Sequence, residues 1–327
     1  MQSVISSQEP LIQIKNVVKN FEQQQGFGRG KSIVRAVNRF SIELLAGETY
    51  GLVGESGCGK STTGRMILRL LEPTSGEVYY NGKNILKADE QEMRLLRKEM
   101  QIVFQDPYSS LNPRKRIGKA IQEPMDIFDI GKKEDRKDRV LELMQKVGLS
   151  PDHYDRFPHE FSGGQRQRIV IARALSVNPK FIVCDEPVSA LDVSIQSQIL
   201  NLFLDLKKEF DLTYLFIAHD LSVVRHISDR IGVMYLGNLV EEAPTDVLFS
   251  NPSHPYSKAL LSAVPNTNPK VKKERIVLKG DMPSPINLPQ GCVFHTRCPQ
   301  VMDSCKQIVP KSVKLGQDHW VSCHLYN

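Results

Sequence analysis

Residues 54–61 of this 327-residue chain read Gly-Glu-Ser-Gly-Cys-Gly-Lys-Ser, a spacing able to wrap a polyphosphate. Gly54, Gly57 and Gly59 carry no Cβ, so the backbone can fold close around an anion, with Ser56 and Cys58 between them. Successive N–H groups then converge as a nest. Residues Glu48–Val53 ahead of the loop predict a buried parallel strand. Thr62–Leu71 behind it predicts a helix whose positive dipole end adds to the site. Lys60 is expected on the β- and γ-phosphates, Ser61 on Mg²⁺ and Thr62 on the α-phosphate. A glycine turn that binds nothing is the plain alternative, and strand, loop and helix in register argue against it.

Asp185 and Glu186 follow four apolar residues, Phe181–Cys184. That pattern predicts a central strand delivering two acids to the C-terminal edge of an open α/β sheet, where ligands bind. Asp185 is expected in the Mg²⁺ shell and Glu186 beside the attacking water as general base. Gln105 closes the run Gln101–Phe104 and is expected at a strand end, in reach of Mg²⁺ or water. His219 closes Thr213–Ala218, follows Ser189–Asp192 in the chain and precedes Asp220. It reads as a sensor of the γ-phosphate, against a merely structural strand-end histidine. Phe21, ahead of the glycine-rich stretch Gly26–Gly30, is open to two readings: a ring stacked on adenine, or an ordinary core phenylalanine.

Further along, Phe161-Ser162-Gly163-Gly164-Gln165 is similar to the signature of the ATP-binding-cassette (ABC) ATPases. Phe104–Pro113 resembles the Q-loop of the bacterial peptide-transport branch. Pro158–Arg168 resembles that branch's signature region, and His254–Leu261 the start of its C-terminal extension. The chain therefore resembles ABC transporter ATPase subunits along nearly its whole length. More narrowly it resembles the F-type of the two ATPases of oligopeptide and dipeptide importers. Phe161 stands where Leu is more usual, one large apolar residue for another.

The resemblance implies a mechanism. Ser162, Gly163, Gly164 and Gln165 would open a helix, expected to run to about Leu175, that faces the γ-phosphate held by an opposite subunit. ATP is then clamped between two cassettes, with Lys60 and Mg²⁺ on one side and Ser162, Gly163 and Gly164 on the other. Asp192 would couple the two sites, and hydrolysis begun at Glu186 would loosen the clamp. The segment Pro107–Pro113, directly after Gln105, would pass that change to membrane partners. Implied partners are a second ATPase (identical, or a D-type sister in a heterodimer), two permeases and an extracytoplasmic solute-binding protein, with no nucleic acid. The expected location is peripheral, on the cytoplasmic face of the membrane.

Four of the six cysteines, Cys292, Cys298, Cys305 and Cys323, fall late in the chain. Their spacing is not the paired Cys-x₂-Cys of a zinc ribbon, and a disulfide framework is disfavoured in a cytosolic protein. Four thiolates can ligate a [4Fe–4S] cluster, which accepts looser spacing. The resemblance supports that reading, because some peptide-transporter ATPases carry such a cluster at a similar pattern. Zinc and unligated thiols stay open. Cys58 and Cys184 read as small space-fillers, and His295 and His324 as bystanders.

The elements that must hold these residues form an α/β pattern, a P-loop NTPase of the ABC-cassette type. Core strands are expected at 48–53, 101–104, 181–185, 213–218 and 231–236, and an antiparallel side sheet at 11–16 and 34–45. Helices are expected at Asp89–Lys98 and Glu134–Val147, the second inside a charged helical subdomain at about 106–178. Prolines 252, 255, 265, 283, 285 and 289 predict an irregular extension, giving a nucleotide-binding domain at 1–250 and an extension at 251–327.

Hydrophobic residues make up 40% of the chain and charged residues 24%, as in ordinary globular proteins. No run approaches the roughly 20 apolar residues that span a bilayer, and Met1–Ser7 does not read as a signal peptide. The net charge of +6 is accounted for by phosphate-site cations as readily as by a membrane or nucleic acid. The function expected is ATP hydrolysis that powers peptide import, with nickel or glutathione-like solutes as alternative cargo. Rival classes are an ABC ATPase acting on nucleic acid or ribosomes, and a regulatory nucleotide-binding module without turnover. No coiled-coil insertion or second cassette speaks for the former, and Glu186 and His219 speak against the latter.

Overall fold

Runs of β-branched and aromatic residues alternate along the chain with amphipathic stretches, and the backbone follows that alternation. The computed structural model describes residues 9–24, 31–264 and 275–327. The stretch Gly26–Gly30, Pro265 and Met1–Ser7 lie outside them. The chain runs through β1 (Ile12–Gln24), β2 (Lys31–Leu44), β3 (Thr49–Val53), α1 (Lys60–Ile67), β4 (Ser75–Tyr80) and β5 (Lys83–Asn84). It continues as α2 (Glu90–Glu99), β6 (Met100–Val103), α3 (Ile117–Phe128), α4 (Arg136–Lys146), α5 (Gly163–Leu175), β7 (Phe181–Asp185) and α6 (Val193–Phe210). Then come β8 (Thr213–Ala218), α7 (Leu221–Ile227), β9 (Arg230–Tyr235), β10 (Asn238–Pro244) and α8 (Thr245–Ser250). Last are α9 (Pro255–Ser262), α10 (Asp303–Gln307), β11 (Ser312–Gly316) and β12 (His319–Ser322).

Two compact units form. The first holds the described residues of Met1–Leu45, Thr49–Leu86 and His219–Asn327. Its side sheet is antiparallel in the order β2-β1-β4-β5, with Ile12 opposite both Leu44 and Tyr80 and Ile14 opposite Ile42 and Val78. Those side chains are buried, because a period of two puts every second residue of each strand on one face. Strand β3 pairs in parallel with β9, and β9 turns back antiparallel into β10. All five residues of β3 are buried, as a parallel strand covered on both faces requires.

Past Asn251 the described residues are largely irregular up to residue 311, as the prolines suggest, but the last residues form two strands. Strand β12 adds to β10 with Glu241 opposite Val321, and β11 pairs with β12. The signal was short: only His319 and Val321 alternate inward, beside turn residues Gly316 and Asp318, the latter at φ 56°. An exposed edge of β10 recruits them.

The second unit, Ala46–Glu48 with Lys87–Ala218, carries the parallel strands β8-β7-β6, registered as Leu215 opposite Val183 and Val183 opposite Ile102. Helix α2 starts at a capping box in which Asp89 accepts from the Glu92 N–H and the Glu92 carboxylate from the Asp89 N–H. Helix α3 falls inside the helical region expected at about 106–178, although Pro124 lies within it. Burial of Ile117, Ala120, Ile121 and Met125 at helical spacing outweighs the lost hydrogen bond. No described helix is long and apolar enough to cross a membrane.

Candidate functional site

In the first unit the turn from β3 into α1 closes only because its glycines tolerate it. Gly54 lies at φ 156° and Gly59 at φ 108°, and a Cβ on them would meet the Met234 and Ala36 carbonyl oxygens at 2.1 and 2.2 Å. No other residue fits either place. Ser56 and Gly57 are exposed at the tip, Ser61 and Thr62 are half-buried in the first helical turn, and Cys58 is buried as a space-filler whose thiol burial pushes up. Lys60 is 4% exposed, and its Nζ donates to the carbonyls of Gly54 at 2.8 Å and Glu55 at 3.1 Å. An ammonium held by two loop carbonyls at the first residue of a helix suits a polyphosphate. Phe21 is exposed on β1 with the Lys19 ammonium over its ring, so it is not a core phenylalanine. His219 is exposed, one residue past β8.

Two residues to which the sequence reading gave no site role touch this loop. The Tyr256 hydroxyl accepts from the Glu55 N–H at 3.0 Å, and Arg297 Nη1 donates to both Glu55 carboxylate oxygens at 3.1 and 2.9 Å. Within His254–Leu261, His254 caps α9 by accepting the Tyr256 N–H on Nδ1, and Pro255 takes the first helical position. Full burial holds the His254 imidazole down at about 3, so it stays neutral and keeps that acceptor.

In the second unit Glu186 follows the last residue of β7 and sits at φ 48°, a left-handed conformation rare for glutamate. Gln105, two residues past β6, donates from Nε2 to Glu186 Oε2 at 3.0 Å and to Ser189 Oγ at 3.3 Å. Two expected catalytic side chains thus meet. Asp185 is buried at the strand end beside Cys184, whose thiol burial raises far above its ordinary range. Ser162 caps α5: its hydroxyl accepts the Gln165 N–H, and Gln165 Oε1 accepts the Ser162 N–H. Ser162 and Gly163 stay exposed at that helix start, and a Cβ on Gly164 would lie 2.5 Å from Ile195. Phe161 is buried edge-on to His153, so the larger ring is accommodated. Asp192 caps α6 without a side-chain bond.

The segment after Gln105 is braced by α5. Asp106 accepts the Tyr108 and Ser109 N–H groups, and those bonds hold its carboxyl below the usual range. Arg166 lies over the Tyr108 ring at 5.1 Å, and Arg173 donates to the Ser110 carbonyl. Tyr108 remains half exposed.

Cys292, Cys305 and Cys323 are buried and Cys298 half-buried. Burial pushes Cys292 up to about 11, and Cys305, Cys323 and Cys298 add to the rise. Cys298, Cys305 and Cys323 therefore lie near Cys292. Among the described residues, however, no three His, Cys, Asp or Glu side chains are arranged to hold a metal ion. His295 and His324 are engaged with the backbone carbonyls of Cys292 and Ile308.

Residues 37–189 match the family model described as ABC transporter, and 240–305 the model described as oligopeptide/dipeptide transporter, C-terminal region. The chain is 53% identical to the oligopeptide transport ATP-binding protein AppF of Bacillus subtilis, over 98% of this chain and 99% of that protein. It is 50% identical to the dipeptide transport ATP-binding protein DppF of Escherichia coli, over 94% and 92% of the two chains. The dimeric bacterial ABC transporter cassette MJ0796 aligns with a TM-score of 0.64 at 31% identity, covering 72% of this chain and 98% of the other.

Proposed function

The chain belongs to the ABC transporter ATP-binding proteins of the oligopeptide/dipeptide class, and on that premise we propose that it hydrolyses ATP to power the import of peptides. The observation that carries this reading is the loop 54–61, closed over Lys60, in a chain whose relatives along its full length are named for peptide transport. The same relatives favour transport over a nucleic-acid ATPase or a silent regulatory module.

Roles follow from chemistry. Lys60 and the loop N–H groups hold the phosphates, and Ser61, Gln105 and Asp185 hold Mg²⁺, a hard cation suited to oxygen donors. Glu186 takes the proton of the attacking water, Gln105 orients Glu186, His219 bonds the γ-phosphate, and Phe21 stacks on adenine. Ser162, Gly163, Gly164 and Gln165 receive the phosphate of a nucleotide held by a second ATPase, a D-type sister, and Asp192 links the two sites. Residues 1–250 act as the nucleotide-binding domain, with its helical part at about 106–178, and 251–327 as the extension. The half-exposed Tyr108 and its neighbours meet two permeases at the cytoplasmic face of the membrane, with a binding protein delivering the peptide. Reconstituted in vesicles with those partners, the chain is expected to support ATP-dependent uptake of a labelled dipeptide or oligopeptide. Uptake of a nickel chelate or glutathione instead would move the cargo and leave the ATPase reading intact.

A second reading concerns the thiols. Cys292, Cys298, Cys305 and Cys323 form a soft donor set that suits a [4Fe–4S] cluster, with zinc as the alternative; what supports it is that Cys298, Cys305 and Cys323 all lie near enough to Cys292 to raise its thiol. Such a group would serve as a staple for a segment poor in apolar core. Anaerobic purification is expected to yield about four iron and four acid-labile sulfide per chain. A colourless protein with stoichiometric zinc overturns the cluster.

A further inference from the structure

The phosphate loop is held from outside by the C-terminal extension, and the grip centres on one residue. Glu55 is bound at all three of its polar groups. Its N–H goes to the Tyr256 hydroxyl at 3.0 Å, its carboxylate to Arg297 at 2.9 and 3.1 Å, and its carbonyl receives Lys60 Nζ at 3.1 Å. Arg297 is itself fixed, lying 5.9 Å from the Tyr235 ring centroid and donating to the Tyr235 hydroxyl at 3.5 Å. Tyr235, Tyr256 and Phe294 pack with ring centroids 4.8–5.4 Å apart, so the tyrosine that takes the Glu55 N–H cannot swing away. Met282 also lies beside the loop, its Cε 3.7 Å from where a Cβ on Gly57 would stand.

We propose that Arg297 and Tyr256 are positioning residues for the phosphate-binding lysine. They set the orientation of the Glu55 peptide, and its carbonyl sets where Lys60 rests before the nucleotide arrives. A loop of alternating glycines has many conformers of similar energy, and only some leave the Lys60 ammonium facing the phosphates. The ion pair is largely desolvated, with 10% of the Arg297 side chain and 30% of that of Glu55 exposed, so it holds its geometry better than a surface pair. Arg297 adjoins Cys298, and Phe294 lies two residues from Cys292. The thiol-bearing segment is therefore the frame on which this grip is mounted. The extension completes the nucleotide site of its own chain.

This inference rests on the nucleotide-binding reading, and one titration series separates the two. Mg·ATP affinity of the full-length chain is measured by calorimetry for wild type, Arg297→Ala, Arg297→Lys, Glu55→Gln and the Arg297→Ala/Glu55→Gln double variant. Wild-type chain that binds no Mg·ATP removes the functional reading itself. Given wild-type binding, Arg297→Ala is expected to weaken it about 10-fold, and Arg297→Lys to recover to within about 3-fold by keeping one charged contact. Glu55→Gln should match Arg297→Ala, and the double variant should be no weaker than either single one, because all three remove the same contact. In the assembled transporter Arg297→Ala should raise KM for ATP and leave kcat within about 2-fold. Should Arg297→Ala fail to fold, Glu55→Gln carries the same affinity test from the loop side. Affinities all within 2-fold of wild type, a double variant equal to the product of the singles, or a lowered melting temperature with unchanged affinity would each overturn the proposal.

Discussion

Replacing Glu186 by Gln is expected to lower steady-state ATP turnover by at least about 100-fold while Mg·ATP binding survives, the range in which a positioned general base contributes. The substitution is informative because it is nearly isosteric. Glutamine keeps a carbonyl oxygen where Gln105 Nε2 now donates at 3.0 Å to the carboxylate, so the contact between the two residues can persist. What disappears is the capacity to take a proton. The backbone at this position is in the left-handed region, and nothing in the substitution asks it to move. If the nucleotide is shared between two ATPases, the variant should also accumulate as an ATP-dependent dimer, because the event that loosens the clamp no longer occurs. Phosphate release at saturating Mg·ATP reads the first effect and size-exclusion chromatography with and without ATP the second. Turnover within a few-fold of wild type would remove Glu186 from its assigned role and leave Gln105 or His219 to be tested as the group that polarises water.

The placement of Glu186 and of the phosphate loop was legible in the sequence for a common reason: each is written in a short segment. Gly54 to Ser61 is one strand-to-helix turn, and Phe181 to Glu186 one strand with its acids at the correct end. The signature is equally local, since Ser162 and Gln165 form their capping box three residues apart. Long-range partners left no such trace. Tyr256 meets Glu55 across 201 residues and Arg297 meets it across 242, and a tyrosine in a helix or an arginine beside cysteines carries no mark of its target. The strands β11 and β12 were hidden differently. Their apolar alternation is too brief to outweigh the surrounding prolines, and β10 decides their conformation.

The same edge pairing singles out Glu241 for the second large effect, this time on stability. Its side chain is fully buried and accepts three bonds: from the Ser253 N–H at 2.7 Å, the His254 N–H at 2.9 Å and His319 Nε2 at 2.9 Å. One carboxylate on β10 thus secures the start of α9 and the first residue of β12. Glu241→Ala leaves two backbone N–H groups and an imidazole buried without their acceptor, a loss of about 3–5 kcal/mol for a broken buried charged network. His319→Ala should cost less, because the carboxylate keeps both backbone donors. Hydrogen exchange locates the damage: amides of 253–262 and 312–322 should lose protection in Glu241→Ala, while those of β7 and β8 in the second unit stay close to wild type. A urea midpoint shift worth less than about 1 kcal/mol would mean that water replaces the carboxylate at this site. Because Tyr256 is the second residue of α9, loosening that helix also frees the hydroxyl that holds Glu55. Weakened Mg·ATP binding should therefore accompany the stability loss in Glu241→Ala. Both effects should shrink in His319→Ala, where the N-terminus of α9 remains tied.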